Sequence, residues 1–154
     1  METLERLVLA HPFFTGIDPA IGRIVIGCTR NLRFAPGEFL FREDEPANEF
    51  FLIREGNVAL ELHVPGRPPL VIATLGAGEI VGASWLVPPY RWNFDARAVA
   101  ATRAFGVDAT CLRAKCDADH HFGYEMMKRL LPVMVGRMQA ARQQLLDVYG
   151  QSAA

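Results

Sequence analysis

A series of short apolar segments separated by glycine and proline turns fills residues 32–108 of this 154-residue chain and constrains its fold. The apolar run at 50–53 ends at a Glu-Gly turn, after which apolar and polar residues alternate through 58–62. Such a pair of segments is typical of a β-hairpin. Many short strands with turn signals about every 8–12 residues are typical of sandwiches and barrels. The central region is therefore predicted to be mainly β, as a sandwich or barrel.

Helical patterns flank this central region on both sides. Near the N-terminus, Asp18-Pro19 is typical of a helix start, with an N-cap residue followed by proline at the first helical position. The apolar residues that follow share one helical face. We therefore expect one domain over 1–154, with N-terminal helices at 1–30, a β-roll at 31–108 and C-terminal helices at 109–150.

The C-terminal region is predicted to be a long helix. Residues 109–150 contain few glycines and carry apolar side chains at helical spacing. Asp119 or Asp117 is available to cap the start, and Gly150 is available to end the helix. Such a helix is on the order of 40 Å long, and Pro132 is expected to bend it.

A helix of this length exceeds the body of a small barrel. Its apolar surface cannot be covered entirely by its own domain, so we expect a second copy of the chain to cover it. The predicted dimer interface consists of Met127, Leu131, Met134, Met138 and Leu145.

Composition excludes several classes of protein. Hydrophobic residues make up 51% and charged residues 21% of the chain, so a packed domain is expected rather than disorder. The net charge of −1 leaves none of the cation surplus on which affinity for nucleic acid depends. No apolar run approaches the roughly 20 residues that span a bilayer, and the N-terminus is unlike a signal peptide. These features predict a cytoplasmic protein without membrane contact.

Spaced glycines within the apolar runs form a more specific pattern. The segments are Phe34-x2-Gly37-Glu38-x2-Phe41, Phe50-Phe51-Leu52-Ile53-x-Glu55-Gly56-x-Val58 and Leu75-Gly76-x-Gly78-Glu79-Ile80-x-Gly82. Together they resemble the cyclic nucleotide-binding domain family, which includes the sensor half of catabolite-activator-type (Crp/Fnr-type) regulators. The resemblance covers about residues 10–149.

This resemblance implies a fold and an assembly. The family fold is an eight-stranded antiparallel jelly roll, a double-stranded β-helix, with flanking helices, and its last helix commonly pairs two subunits. Catabolite-activator-type regulators continue into a helix-turn-helix that enters the DNA major groove. This chain stops at 151–154, so we expect a stand-alone sensor domain without direct DNA binding.

The chain departs from the family where the resemblance places the ligand, in the cassette of residues 82–95. A typical member follows the glycine matching Gly82 with a glutamate that accepts the ribose 2′-hydroxyl, and Ala83 stands there instead. Ten residues after that glycine, an arginine normally pairs with the cyclic phosphate, but this chain has Trp92, followed by Asn93. Arg91 lies one position early, which in extended chain turns its side chain to the opposite face.

Two interpretations of this cassette stay open. In the first, a small anionic or planar molecule other than ordinary cyclic AMP stacks on the aromatic side chains while Arg91 pairs with an anion. In the second, Trp85 and Phe94 belong to the core and Trp92 fills the vacant phosphate site. The candidate ligand-binding residues are Gly82, Ala83, Ser84, Trp85, Tyr90, Arg91, Trp92 and Asn93.

Metal and catalytic sites are not predicted. The Cys111, Cys116, His120 and His121 group lacks the short knuckle spacing of zinc sites, so helix packing is the favoured role. The strand region contains His63 as its only histidine, which argues against a metal-binding cupin. Ser84 in the cassette has no histidine nearby in sequence that could act as its base, and no nucleophile–base arrangement stands out elsewhere. We therefore expect a protein that is not an enzyme.

The sequence thus favours a dimeric sensor domain that signals through its C-terminal helix to an unidentified partner protein. The only cofactor implied is a cyclic nucleotide or another small anionic ligand. The alternative is a protein-interaction module whose pocket is filled by its own side chains.

Overall fold

The computed structural model describes residues 4–152, which form two short helices, a β-roll and two C-terminal helices. The helices are α1 (Leu4–Leu9), α2 (Pro19–Gly27), α3 (Ala109–Ala118) and α4 (His120–Ser152). The strands are β1 (Thr29–Phe34), β2 (Phe39–Phe41), β3 (Glu49–Glu55), β4 (Val58–Leu62), β5 (Leu70–Leu75), β6 (Ile80–Val81), β7 (Asp95–Ala98) and β8 (Thr102–Asp108). Single 3₁₀ turns lie at Pro12–Phe14 and Ser84–Leu86.

The strands form two four-stranded antiparallel sheets with the orders β1-β8-β3-β6 and β2-β7-β4-β5. The predicted hairpin differs in one respect, because β3 and β4 are consecutive but belong to opposite sheets. The chain turns between them at Gly56, where φ is 98° and a Cβ atom would meet the backbone of Ala101 and Thr102. The β-roll with a long C-terminal helix confirms the predicted fold class.

The core lies between the two sheets and extends beneath the helices. Its largest fully buried side chains include Trp85, Phe50, Phe105 and Phe122, which come from the cassette, two strands and α4. Burying an apolar side chain of this class contributes about 1.5–3 kcal/mol. One continuous core therefore joins the β-roll to the C-terminal helices.

The segment between α1 and α2 is held by a buried histidine. His11 Nδ1 accepts a hydrogen bond from the Phe13 N–H at 3.1 Å, and Nε2 donates to the Ile53 carbonyl at 3.2 Å. These partners require the neutral ring, and burial lowers the pKa of His11. Farther along, the Asp18 carboxylate accepts from the Ala20 N–H at 2.8 Å, which confirms the predicted N-cap of α2.

The C-terminal region is divided into two helices rather than one. α3 ends at Ala118, and the Asp119 carboxylate accepts from the N–H groups of His121 and Phe122 at the start of α4. This confirms Asp119 as the cap. The prediction that Gly150 ends the helix is wrong, because α4 continues to Ser152. No helix among residues 4–152 combines the length and apolar character needed to cross a membrane.

Candidate functional site

The cassette connects β6 to β7 and lies beside the C-terminal helices. It begins at Gly82, where φ is 100°, continues through the 3₁₀ turn at Ser84–Leu86, and reaches a tip at the Pro88-Pro89 cis peptide. Beyond the tip, Tyr90 has a φ of 58°, a conformation that is uncommon outside glycine.

Trp92 occupies the space directly against Gly82. Its side chain is 3% exposed, and its ring stacks on Phe41 with centroids 3.6 Å apart and an interplanar angle of 8°. A Cβ atom at Gly82 would lie 2.5 Å from Cζ3 of Trp92 and closer still to Cη2. Glycine is therefore required by this close approach as well as by the backbone conformation. The geometry agrees with the second interpretation, in which Trp92 fills the site.

Trp85 is a core residue in this structure. Its side chain is 0% exposed and stacks on Phe50 with centroids 5.0 Å apart. No face of its indole is free in this conformation, so the position of Trp85 agrees with the second interpretation rather than with a stacking role. Phe94 packs against the core, as the second interpretation requires.

The remaining candidate residues differ in exposure. Ala83 is buried, Ser84 and Tyr90 are half-buried, and Arg91 and Asn93 are exposed. Arg91 Nη1 donates to the Asp44 carbonyl at 2.6 Å. Arg91 thus already has a backbone partner in the loop between β2 and β3.

That loop closes over the cassette through residues 44–47. The Asp44 N–H donates to the Trp92 carbonyl at 2.9 Å, the Trp92 N–H donates to the Glu45 carbonyl at 3.1 Å, and the Ala47 N–H donates to the Tyr90 carbonyl at 2.7 Å. These bonds hold Trp92 in place from the backbone. No local sequence pattern predicts this pairing.

A cavity of about 300 Å³ opens beside Trp92. Its lining consists of Leu40, Phe41, Glu45, Pro46, Asn48, Glu49, Phe51 and Trp92. Aromatic faces and two carboxyl groups contribute to this lining, and none of these side chains is cationic. Since anion sites need cations or converging N–H groups, the cavity suits a planar molecule without negative charge.

Arg113 of α3 links the cassette to the C-terminal helices and was not singled out from the sequence. Its Nη1 donates to the Trp85 carbonyl at 2.7 Å and to the Ala47 carbonyl at 3.0 Å. Its guanidinium also lies over the Tyr90 ring, 4.3 Å from the centroid. One side chain therefore contacts the cassette at two places, Trp85 and Tyr90, and also contacts the loop that closes it.

α4 has an inner face that binds its own β-roll. Met126 and Leu130 are buried there, Arg137 donates to the Ile80 carbonyl at 2.5 Å, and Gln144 donates to the Val71 carbonyl at 2.7 Å. Burial lowers the pKa of Arg137. These contacts fix which face of α4 points away from the domain.

The outer face of α4 is an exposed apolar stripe. Its members alternate in steps of three and four residues: Tyr124, Met127, Leu131, Met134, Met138, Ala141, Leu145 and Val148. This is the heptad spacing of a coiled coil. The predicted dimer residues all belong to it and all are exposed, with Met138 at 66%. The cassette residues Leu86 and Val87 join this stripe in an apolar groove of about 520 Å³.

The histidines and cysteines considered for a metal are dispersed. Cys116 is half-buried and packs against the core, and burial raises the pKa of its thiol to about 11. His121 Nε2 lies 3.7 Å from Asp18 Oδ2. Within residues 4–152, no three His, Cys, Asp or Glu side chains are close enough to hold a metal ion.

This fold, with its glycine-led cassette between β6 and β7, defines a class of ligand-sensing regulatory domains. The family model described as "Cyclic nucleotide-binding domain" matches residues 31–119, which is more than half of the chain. The chain therefore belongs to the cyclic nucleotide-binding domain family, as the motifs predicted.

Curated relatives are longer than this chain. The CRP-like cAMP-activated global transcriptional regulator of Mycobacterium tuberculosis is 21% identical over 145 residues, which cover 94% of this chain and 63% of the regulator. Acetyltransferase Pat of Mycolicibacterium smegmatis is 36% identical over 73 residues, which cover 47% of this chain and 22% of that enzyme. The chain thus spans less than two-thirds of the relatives' length.

Solved structures share the fold. A cyclic nucleotide-binding domain from Methylobacillus flagellatus has a TM-score of 0.77 at 18% identity, with 93% of this chain and 83% of that chain covered. The regulatory subunit of a cAMP-independent protein kinase A from Trypanosoma brucei has a TM-score of 0.67 at 16% identity, and the match covers 95% of this chain and 50% of that chain. At these identities the likeness concerns the fold alone.

Proposed function

We propose that this chain is a regulatory sensor domain in which a planar small molecule without a phosphate displaces Trp92 beside Gly82. The observation that carries the proposal is the burial of Trp92 between Phe41 and Gly82. The indole lies where the family resemblance places the cyclic phosphate, and Ala83 removes the acceptor for the ribose. Cyclic AMP therefore lacks its two family contacts, while a flat molecule can replace the indole against Phe41.

A ligand can bind only after the closed cassette opens, and this opening costs free energy. Trp92 must leave its stack on Phe41 and break the backbone hydrogen bonds to residues 44–47. A closed state favoured by about 2–3 kcal/mol lowers the apparent affinity roughly 30- to 150-fold. Ligand binding is thus tied to a movement of the cassette rather than occurring in a preformed pocket.

The charge around Trp92 supports an uncharged or cationic ligand over an anionic one. Glu45 and Glu49 line the adjacent cavity, and Arg91 is engaged by the Asp44 carbonyl. A cation over an aromatic face is favourable by roughly 0.5–2 kcal/mol, whereas a phosphate would face carboxylates. Of the two ligand classes that the sequence left open, the planar class is therefore the one proposed.

The output is proposed to run through α3 and α4 to a second copy of the chain. Arg113 of α3 donates hydrogen bonds to the carbonyls of Trp85 and Ala47. Opening of the cassette would therefore change the hydrogen bonds that hold α3. Leu86 and Val87 also contact the groove that borders the apolar stripe of α4. Movement of the cassette would thus alter the surface on which the proposed coiled-coil dimer is built.

Tryptophan emission tests the displacement, because the chain has only two tryptophans. In a Trp85→Phe variant, emission reports Trp92 alone. We expect adenosine, which is planar and uncharged, to shift this emission to longer wavelength at lower concentration than cyclic AMP. The matched Trp92→Phe variant reports Trp85, and its emission should stay unchanged. Micromolar binding of cyclic AMP by the unmodified protein would contradict the proposed ligand class.

Mass in solution tests the dimer. Charge placed in a coiled-coil seam is strongly unfavourable, so Leu131→Glu combined with Met138→Glu should halve the mass measured by light scattering. Gln139→Glu, on the neighbouring exposed position, should leave the mass unchanged. A monomeric unmodified protein at micromolar concentration would refute the dimer.

The second candidate function is a protein-interaction module with a permanently filled pocket. The same closure by residues 44–47 favours it. It predicts that Trp92 stays buried with every compound tested, and that a crystal of untreated protein shows no ligand density beside Gly82. Ligand density at that place would exclude the module.

A further inference from the structure

Two cysteines meet where the N-terminal helices join α3. Cys28 caps the C-terminal end of α2, and its carbonyl accepts from the Asp108 N–H at 2.8 Å. Asp108 is also the N-cap of α3, with its carboxylate on the Thr110 N–H at 3.0 Å. Cys111 stands in the first turn of α3. These backbone contacts hold the two cysteine-bearing segments together although the residues are far apart in sequence.

The two thiols are neighbours across this junction. Burial raises the pKa of Cys28 to about 11, and the nearby Cys111 thiol adds to that rise. Asp108 and Lys115 are the charged groups that act on the same thiol. Cys28 is half-buried and Cys111 is exposed. A disulfide needs Cα atoms within about 4.4–6.8 Å, and the backbone hydrogen bond from Asp108 to Cys28 joins the two segments three residues before Cys111.

The surroundings assign different roles to the two sulfurs. Cys111 is exposed to solvent and lies in the first turn of a ten-residue helix. Cys28 keeps its proton and is shielded. The exposed sulfur is therefore the one that meets an oxidant, and the shielded sulfur is positioned to react second.

We propose that Cys28 and Cys111 form an intramolecular disulfide when the protein meets a peroxide. The Cys111 sulfur attacks one oxygen of hydrogen peroxide, the O–O bond breaks, and the Cys111 proton leaves with hydroxide as water to give a sulfenic acid. The Cys28 sulfur then attacks the Cys111 sulfur, the S–O bond breaks, and the Cys28 proton accompanies the leaving hydroxide as a second water. Two thiols are oxidised to one disulfide, and one peroxide is reduced to two waters.

The bond would fasten the end of α2 to the first turn of α3. α3 carries Arg113, which holds the carbonyls of Trp85 and Ala47 at the cassette. The disulfide would thus restrain the helix that supports the cassette. This inference stands independently of the proposed ligand, because it needs only the two thiols and a peroxide.

Thiol counting tests the proposal on the full chain. Hydrogen peroxide should lower the free thiols of the unmodified protein from three to one, with a mass loss of about 2 Da and a Cys28–Cys111 peptide in the digest. Cys116→Ser is the matched control and should form the same bond. Cys28→Ser should instead leave a Cys111 sulfenic acid that dimedone traps. Three remaining thiols, or a bond to Cys116 or to a second chain, would overturn the proposal.

Thermal unfolding provides a second readout. A bond between two segments that already touch should raise the Tm of the oxidised protein by about 5 °C or more, and dithiothreitol should reverse the change. Cys111→Ser should show no such rise, while its circular dichroism spectrum before oxidation verifies that it folds. A cross-linked protein with a lower Tm would show that the two thiols are not positioned for the bond.

Discussion

Replacing Gly82 with alanine tests whether Trp92 fills the cassette in solution. The new Cβ atom would lie 2.5 Å from Cζ3 of Trp92, whereas unstrained carbon contacts begin at about 3.5 Å. Trp92 cannot retreat easily, because its other face stacks on Phe41 and its backbone is bonded to residues 44–47. Gly82→Ala is therefore expected to force apart the stack that closes the site.

Gly37 supplies the matched control. Its φ of 90° resembles the 100° of Gly82, but nothing lies within 4 Å of the place that a Cβ atom would take there. Alanine in this left-handed region costs about 1–2 kcal/mol in either place. Overpacking against Trp92 adds about 1–3 kcal/mol at Gly82 alone. The free energy of unfolding should thus fall by about 2–5 kcal/mol for Gly82→Ala and by about 1–2 kcal/mol for Gly37→Ala.

Urea unfolding followed by circular dichroism measures both variants. In a Trp92→Leu background the ring is absent, so Gly82→Ala should cost no more than Gly37→Ala does. The coupling between the two positions should then exceed about 1 kcal/mol. If Gly82→Ala and Gly37→Ala differ by less than about 0.5 kcal/mol in the unmodified protein, Trp92 does not lie against Gly82, and the proposed displacement loses its basis.

Two further predictions concern stability. Because the pKa of His11 is lowered from its usual 6.5 by burial, the unfolded chain takes up the proton first. The free energy of unfolding should therefore fall as the pH drops below about 6.5. The urea midpoint measured at pH 7.5 and again at pH 5.5 should differ less in His11→Gln than in the exposed control His63→Gln. Arg97 Nε lies 2.6 Å from Oε1 of the buried Glu61, so Arg97→Ala should cost about 3 kcal/mol. Arg103→Ala removes an exposed ion pair and should lower the free energy of unfolding by under about 1 kcal/mol. Equal losses of stability for the two variants in thermal melts would refute the difference expected between a buried and an exposed pair.

Features with a local cause could be predicted from the sequence. The caps at Asp18 and Asp119 depend on residues two or three positions away, and the structure has both. The apolar stripe of α4 follows from helical spacing alone. The predicted end of the helix at Gly150 is wrong, because a glycine stops a helix only where the chain has a reason to turn, and α4 continues past it.

Which strands pair with one another was harder to predict from the sequence. Alternation indicates a hairpin around Gly56, and the turn is present, yet β3 and β4 belong to different sheets. Periodicity reports which side of a strand is buried but does not report which strand lies beside it. The partners of β3 are β6 and β8, and pairing of that kind depends on the whole chain.

Residue types at short spacing were enough to predict the family, the β-roll with its long helix, and the departures of the cassette from the family motif. The sequence left two interpretations of the cassette open, and the burial of Trp92 against Gly82 became visible only in the folded chain. Trp92 is closed in by a loop nearly fifty residues earlier in the chain, Arg113 reaches back 66 positions to Ala47, and Cys28 meets Cys111 although the whole β-roll separates them in sequence. Such contacts carry no local pattern, because they arise where the packed sheets and helices bring distant segments together.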